Sequence, residues 1–340
     1  MGPEPSRLSA ADERFGHQLV APATETLYGD PAWAERNYFL LHTEDGVVLN
    51  AGRQLYPHAG RRAAFSSASL GSQQIGYRFL EDFGYGDDPD VPAVGKISIE
   101  AVRPLERVRL VLDAPGGLLE YDLEFIARFP AVASERNRIE QDGRVVTDYM
   151  NFFQSGWYSG HLRLDDREYA IEARAGFRDR GWGLRKHEGA PRRGLVVFVG
   201  CELEAGMLYL LIYETASQRR VFTNGWLVDE TGSLDKVTGV EHDLQFADGL
   251  LSGGAMALSF ARSGTSELLI TARHHLLLSA SGYRAEQAEQ EPPERLDQAD
   301  PVTARRYAGQ TDYGCSFVLD GQDGHGYVEV GLGTHERYRP

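Results

Sequence analysis

The chain has 340 residues, a length that favours two domains over one. Its 35 Lys and Arg residues face 50 Asp and Glu residues, so the formal net charge is −15 at pH 7. Such a negative field repels phosphate backbones and anionic lipids, which argues against nucleic acid and membrane surfaces as partners. No apolar run reaches the ~20 residues of a membrane span, and the first residues lack the order of a signal peptide. We therefore expect a soluble, cytoplasmic protein.

Alternation of apolar and polar residues with a period of two is the dominant pattern along the chain. In residues 119–125 every odd-numbered residue is apolar and every even-numbered one is acidic. This pattern predicts a strand with one face in a core and the other in water. In chain order, the same alternation predicts strands at 97–101, 108–112, 119–125, 168–172 and 326–330.

Asp-Gly pairs recur along the chain among these segments. They predict tight hairpin turns, because both residues tolerate positive φ angles. The pairs are Asp45-Gly46, Asp142-Gly143, Asp248-Gly249, Asp320-Gly321 and Asp323-Gly324. Successive strands follow at short spacing, without the helical segments of about 10–15 residues that parallel sheets require. The pattern therefore favours antiparallel barrels or sandwiches.

Helix is predicted in one place, at residues 300–309. Asp300 suits the N-cap, Pro301 the first helical position and Gly309 a left-handed residue after the last turn. The charged stretch 286–300, which contains two prolines, predicts an exposed loop.

The sequence contains no motif that is typical of a metal site or a phosphate-binding site. The two cysteines make no disulfide framework, and no Cys-x-x-Cys or His-x-x-x-His spacing occurs. Glycine-rich phosphate loops and the Gly-x-Ser-x-Gly nucleophile motif are also missing from the sequence. We therefore expect neither a metal nor a cofactor.

Residues 151–185 combine aromatic side chains with a few ionisable ones. Aromatic walls with sparse ionisable groups are typical of a cavity for a bulky apolar ligand, and ordinary core packing is the alternative. The candidate substrate-binding residues, some of them elsewhere in the chain, are Trp157, Tyr158, Phe177, Tyr213, Trp226 and Tyr77.

The segment 178–185 holds the densest set of candidate functional groups. Asp179 lies between two arginines, Trp182 lies between two glycines, and Arg185 follows shortly after. The glycines allow a close backbone approach that points the indole inward, and Asp with Arg can form a bidentate network. The spacing alone leaves a structural ion-pair network and a catalytic site both open.

Residues 176–185 resemble the signature of the carotenoid 1,2-hydratase and AttH-like (CrtC-like) lipocalin-related superfamily. That signature reads approximately Gly-x-Arg-Asp-His-Ser-Trp-Gly-x-Arg. Residues 31–39 resemble the early Trp-x-Glu-x-x-Tyr-Phe strand, 159–164 the strand before the signature, and 324–329 the closing Gly-x-Gly-x-x-Glu. These matches occur in the family's order and span nearly the whole chain.

The resemblance implies an all-β chain of two consecutive lipocalin-like (calycin) antiparallel β-barrels, packed together, with little helix. The signature would lie near their junction. Length and motif placement put the two barrels at residues 1–170 and 171–340. Members of the superfamily hydrate isoprenoid double bonds, and fungal relatives catalyse intramolecular Diels–Alder cyclisation.

The chain departs from the signature at Arg180, where the hydratases carry His, and at Gly181, where they carry Ser. Arg stays protonated at physiological pH and is a poor general acid. Another group must then deliver the proton, such as a buried Asp or Glu with a raised pKa. The apolar strand 207–214 offers further polar groups. The candidate catalytic residues are Asp179, Trp182, Arg180, Arg185, Tyr209 and Glu214.

The first interpretation is a cofactor-independent enzyme that acts on a terpenoid- or polyketide-like molecule in an apolar cavity. It would hydrate, dehydrate, isomerise or cyclise a carbon–carbon double bond. A non-catalytic lipocalin-type binding protein for a hydrophobic metabolite and a Diels–Alderase-like pericyclase are the alternatives. The sequence leaves the substrate, the reaction and the oligomeric state, monomer or homodimer, open.

Overall fold

The computed structural model is built almost entirely of antiparallel strands. It describes residues 8–17, 29–84, 86–141, 143–185, 194–283 and 288–338. The strands of its first half are β1 (Trp33–His42), β2 (Val48–Tyr56), β3 (Arg61–Leu70), β4 (Gln73–Asp82), β5 (Ala93–Val94), β6 (Ile97–Arg103), β7 (Arg107–Leu112), β8 (Leu119–Ala127), β9 (Val132–Ala133), β10 (Asn137–Gln141), β11 (Arg144–Leu164) and β12 (Arg167–Arg185).

The second half continues with strands and short helical segments. Its elements are β13 (Leu195–Leu203), β14 (Gly206–Glu214), β15 (Arg220–Asp229), β16 (Leu234–Ala247), β17 (Leu250–Phe260), β18 (Gly264–Leu276), β19 (Gln290–Asp297), α1 (Pro301–Tyr307), β20 (Gln310–Leu319) and β21 (Gln322–Leu332). Single 3-10 turns occur at Ala10–Glu13 and Leu278–Ala280. Among the described residues, no helix is long and apolar enough to cross a membrane.

The first sheet runs in the order β19-β4-β3-β2-β1-β12-β11-β8-β7-β6-β5, and β9 and β10 pair with β11. It curls so that β5 comes into contact with β3 and β4 near its other edge. The alternating face of β8 is buried as the sequence predicts, because its apolar residues line the inside of the curl. Phe39, Tyr77, Ile99 and Phe125 lie in this first core.

Eight strands, β13 to β18 with β20 and β21, form a closed barrel with its own apolar core. A third apolar cluster lies between the sheet and the barrel and holds them together. The curled sheet and the closed barrel confirm the predicted all-β, lipocalin-like class with little helix. The division at residues 170/171 stays a prediction. That point falls inside β12, which pairs with β1 and β11 as far as Arg185.

Each of the five alternating segments lies in a strand of the structure. The turn predictions were right at Asp45-Gly46, between β1 and β2, and at Asp248-Gly249 and Asp320-Gly321, where both residues have positive φ. Asp142 of the Asp142-Gly143 pair lies outside the described residues. The prediction at Asp323-Gly324 was wrong, because that pair lies within β21. The helix is confirmed with Asp300 as its cap, but it ends on right-handed Ala308 rather than on a left-handed glycine.

The exposed loop predicted at 286–300 was also wrong, since β19 pairs with β4 at the edge of the first sheet. An edge strand tolerates proline because one side of it needs no ladder hydrogen bonds. The pairing shifts register between Gln290 and Glu294, which accommodates the two prolines. Residues 286 and 287 lie outside the described part of the chain.

Candidate active site at the junction

One face of strand β12 points into the curl of the first sheet, and its other face points to the junction with the barrel. Asp179 lies beside Tyr38 of β1 and Phe153 of β11, whereas Arg180 lies beside Asn37. Paired residues of antiparallel strands point to the same face, and successive residues to opposite faces. Tyr38 and Phe153 belong to the junction cluster, so Asp179 faces the junction and Arg180 faces into the sheet.

A cavity of about 420 Å³ opens at this junction. Its wall carries more polar side chains than the apolar cavity predicted from the sequence. The side chains that matter for its chemistry come from both halves of the chain, and they are Arg36, Asn151, Asp179, Arg185, Tyr213, Tyr283 and Glu329. The cavity therefore suits a ligand that carries oxygen functions as well as hydrocarbon.

Asp179 is the ionisable group of this cavity whose chemistry is best defined. Burial raises the pKa of its carboxyl to about 7, and the nearby charge of Glu329 adds to the effect. Arg185, Asn151 and Arg36 favour the ionised form, but they do not outweigh burial. At neutral pH the carboxyl is thus divided between its protonated and ionised forms, as a general acid or base requires.

A second buried carboxyl, that of Asp312, lies beside the cavity and joins the two halves. Tyr38 donates a hydrogen bond to Asp312 Oδ2, and Asn50 Nδ2 donates to Tyr38 Oη at 3.1 Å. Burial and the neighbouring Glu329 raise the pKa of Asp312 well above its ordinary value. Asp312 and Glu329 are cross-strand partners on β20 and β21. Three carboxyl groups therefore gather at one point of the junction.

Two guanidinium groups line the same cavity. Among the described residues, neither Arg36 nor Arg185 has a carboxylate oxygen within 4.0 Å. Arg36 lies over the Tyr283 ring, with 5.3 Å from its Cζ to the ring centroid, and Arg185 lies over the Tyr149 ring at 3.6 Å. Aromatic faces hold these cations in place without neutralising them. Their N–H groups remain suited to an oxygen of a ligand.

Gly181 has a steric role in this arrangement. A Cβ added there would collide with Tyr149 Oη, so a glycine is needed for the tyrosine to lie across the strand. Tyr149 in turn supports Arg185. The departure from Ser at this signature position therefore has a physical reason in this chain.

Arg180 and Trp182 lie on the opposite face of β12, away from the junction cavity. Arg180 Nη2 donates to Glu35 Oε2 at 2.8 Å, and the Trp182 ring stacks on His17 with the ring centroids 4.1 Å apart. His17 Nδ1 also lies 3.0 Å from Glu35 Oε2. These two candidate residues hold the N-terminal segment 8–17 against the first sheet.

Glu214 lies on the inner face of the closed barrel rather than at the junction. Arg220 forms an ion pair with it at 2.8 Å, and His242 Nε2 and His335 Nε2 each lie 3.1 Å from one of its oxygens. Burial opposes its ionisation, but hydrogen bonds from His242 and Arg220 outweigh burial and lower the pKa of Glu214 to about 2. Such a group stays ionised and suits a structural role.

The other sequence candidates divide among three places. Tyr209, Phe177 and Trp226 belong to the junction cluster, and Tyr213 lines the cavity. Tyr158 and Tyr77 are buried in the first core. Trp157 is 43% exposed on β11, beneath the guanidinium of Arg128.

Sequence reasoning missed Arg36, Tyr38, Asn151, Asp312 and Glu329 as site residues. The motif matches at 31–39 and 324–329 contain Arg36, Tyr38 and Glu329, so that resemblance carried a usable signal. The sequence signal for Asp312 was weaker, since it is only an acidic residue near the start of a largely buried strand.

The model of one protein family matches residues 8–284. The chain belongs to DUF8625, a family of unknown function. No curated protein matches the sequence. Solved structures resemble it over nearly its whole length, and they confirm the resemblance of fold inferred from the motifs.

A candidate AttH of Nitrosomonas europaea is 13% identical, with a TM-score of 0.58 over 93% of this chain and 97% of its own. Kievitone hydratase from Nectria haematococca is 12% identical, with a TM-score of 0.57 over 94% and 97%. CghA in complex with Sch210972 is 13% identical, with a TM-score of 0.53 over 90% of each chain. At these identities the likeness concerns the fold alone.

Proposed function

We propose that this protein is an acid–base catalyst that adds water to, or removes it from, a double bond conjugated with a carbonyl group. The substrate is a lipophilic small molecule held in the junction cavity. The supporting observation is the Asp179 carboxyl, with its pKa near 7, in one cavity with Glu329 and two guanidiniums free of carboxylate partners among the described residues. Hydration is also the reaction named in one structural neighbour, kievitone hydratase.

Each group has a defined part in the addition of water. Arg36 and Arg185 donate hydrogen bonds to the carbonyl oxygen and polarise the double bond. Water attacks the β-carbon and gives a proton to Glu329, while the electron pair moves to the oxygen and forms an enolate. Protonated Asp179 then delivers its proton to the α-carbon. Proton transfer from Glu329 to Asp179 restores the starting state, and the reverse sequence removes water.

A second candidate is cyclisation driven by polarisation alone. Two guanidiniums on a conjugated carbonyl lower the barrier to an intramolecular cycloaddition without any proton transfer. The absence of an ion pair between Arg36 or Arg185 and any described carboxylate supports this alternative. Its rate would stay constant across roughly pH 5–9, whereas acid catalysis by Asp179 would fall above pH 7.

Pseudoionone, an isoprenoid ketone with conjugated double bonds, is a suitable probe for the test. The protein is incubated with it in ¹⁸O-labelled water, and the products are analysed by mass spectrometry. Hydration gives a labelled alcohol, cyclisation gives an unlabelled isomer, and a pure binding protein returns the probe unchanged.

Asp179→Asn is the deciding variant, and Glu214→Gln is its matched control in the barrel. We expect the first to lower the conversion rate by about 100-fold or more, since proton transfer by a positioned group contributes that much. The second should retain the rate at a temperature where it stays folded. Equal conversion by the wild type and Asp179→Asn would refute the assignment of Asp179.

A further inference from the structure

A second cavity, of about 590 Å³, lies inside the curl of the first sheet, on the other face of β1 from the junction. Phe39, Ile99 and Val108 give it apolar walls that belong to the first core. Arg53 also lines it. Its volume is in the range of small-molecule sites.

The N-terminal segment 8–17 forms part of the wall of this cavity. The Phe15 ring contacts two guanidiniums, with 4.2 Å from its centroid to Arg53 Cζ and 4.1 Å to Arg180 Cζ. The Phe15 N–H donates to Asp90 Oδ1 at 2.7 Å. Glu13 forms a bidentate ion pair with Arg178 at 2.7 and 2.9 Å. The segment is therefore anchored at several points, two of which, Arg178 and Arg180, lie on β12.

Arg53 is a buried cation that makes no ion pair with any described residue. It is only 6% exposed, and among the described residues no carboxylate oxygen lies within 4.0 Å of it. Its Nε has no hydrogen-bond partner there, and its Nη1 donates only to the carbonyl oxygens of Asp90 and Val91. Burial and the neighbouring Arg180 lower the pKa of Arg53 to about 10. An uncompensated buried charge is costly, and a bound anion would relieve that cost.

The acidic residues around the cavity are engaged elsewhere or exposed. Glu13 is held by Arg178, and Asp90 is held by Arg14 and the Phe15 N–H. Glu100 is exposed on β6. None of the three forms an ion pair with Arg53 within 4.0 Å.

We infer that this cavity is a second binding site, specific for an aliphatic carboxylic acid. The carboxylate would bind Arg53, and the hydrocarbon chain would pack against Phe39, Ile99 and Val108. Segment 8–17 would close the entrance. This site is separate from the junction cavity and does not depend on the function proposed there.

Decanoate and decanol are the probes for this site, and isothermal titration calorimetry on the full chain is the measurement. We expect decanoate to bind at least about 10-fold more tightly than decanol, because only the acid can pair with Arg53. Arg53→Met should lose that preference, and Arg53→Lys should keep most of it. Equal binding of the two probes to the wild type, or no binding of decanoate, would overturn the inference.

Two further variants locate the site whatever the stability of Arg53→Met. Ala101→Trp fills the cavity from an exposed wall position and should abolish decanoate binding. Arg185→Met, in the junction cavity, should leave it unchanged. Loss of decanoate binding in Arg185→Met but not in Ala101→Trp would place the acid at the junction and refute the second site. Pseudoionone conversion in Ala101→Trp reports separately on the junction.

Discussion

Both faces of β12 carry charged side chains, but the two faces differ in whether those side chains form ion pairs with described residues. Toward the first sheet, Arg178 is paired with Glu13 and Arg180 with Glu35. Toward the junction, Asp179 and Arg185 make no ion pair within 4.0 Å among the described residues. Among the described residues, the same segment therefore carries ion-paired charges on one face and charges without ion pairs on the other.

We infer from this difference that the partners of a charged residue, rather than its type, indicate its role. In a buried ion pair each charge is balanced by its partner, and removing one partner destabilises the fold. A carboxyl or guanidinium that faces a cavity without a counter-ion keeps its charge available for a ligand. The variants below test this distinction on matched residues of the same strand.

The largest effect is expected for Arg178→Met on the paired face. It leaves the Glu13 carboxylate buried without its cation, which should lower the free energy of unfolding by about 3–5 kcal/mol. Arg185→Met, the matched change on the cavity face, should cost about 1 kcal/mol or less. Urea denaturation at pH 7 measures both. Equal losses in the two variants would remove the distinction between the faces.

A smaller effect, opposite in sign, is expected for Asp179→Asn. The native pKa of Asp179 is raised to about 7 from the ordinary 3.8, so ionisation destabilises the fold progressively between about pH 4 and 7. The variant should match the wild type at pH 3–4 and be more stable by about 2–4 kcal/mol above pH 7. Thermal or urea unfolding as a function of pH measures this difference.

Glu214→Gln provides the contrasting control for that pH series. The native pKa of Glu214 is lowered to about 2, so its contribution to stability is present above pH 4.5 and is lost as the pH falls toward 2. The variant should therefore be less stable than the wild type at neutral pH, with a gap that narrows in acid. A gap that widened in acid would contradict a structural Glu214.

The smallest effect is expected on ligand affinity. Arg36→Met and Arg185→Met should each weaken pseudoionone binding by about 10-fold, the loss of one charge-assisted hydrogen bond. Arg174→Met is a suitable control, because Arg174 lies on the same strand but is paired with Glu44 at the surface. Fluorescence titration would measure the three affinities. Similar affinity in all three variants would argue against guanidinium binding of the substrate.

Much of the fold could be predicted from the sequence because it depends on local patterns. Alternation located five of the strands, and Asp-Gly pairs located several hairpins. The edge strand β19 was missed because its two prolines and charges are typical of a loop, and only its position at the sheet edge allows it to pair.

The candidate site was predicted only in part, because its chemistry depends on which distant residues meet. Asp179 and Arg185 were found from the signature, but Arg36 and Asp312 come from strands far away in the sequence. The roles of Arg180 and Trp182 depend on Glu35 and the N-terminal segment, and spacing along one strand cannot show such partners.

The pairing of β19 with β4 has a consequence for how the chain folds during synthesis. The edge of the first sheet is completed by residues 290–297, which leave the ribosome after most of the closed barrel. Until then, β4 has an exposed edge that is open to non-native pairing. The barrel strands β13 to β18 can close their hairpins before the first sheet is finished. Truncation before residue 290 would therefore expose the N-terminal half to aggregation, although every strand of the curl up to β12 would be present.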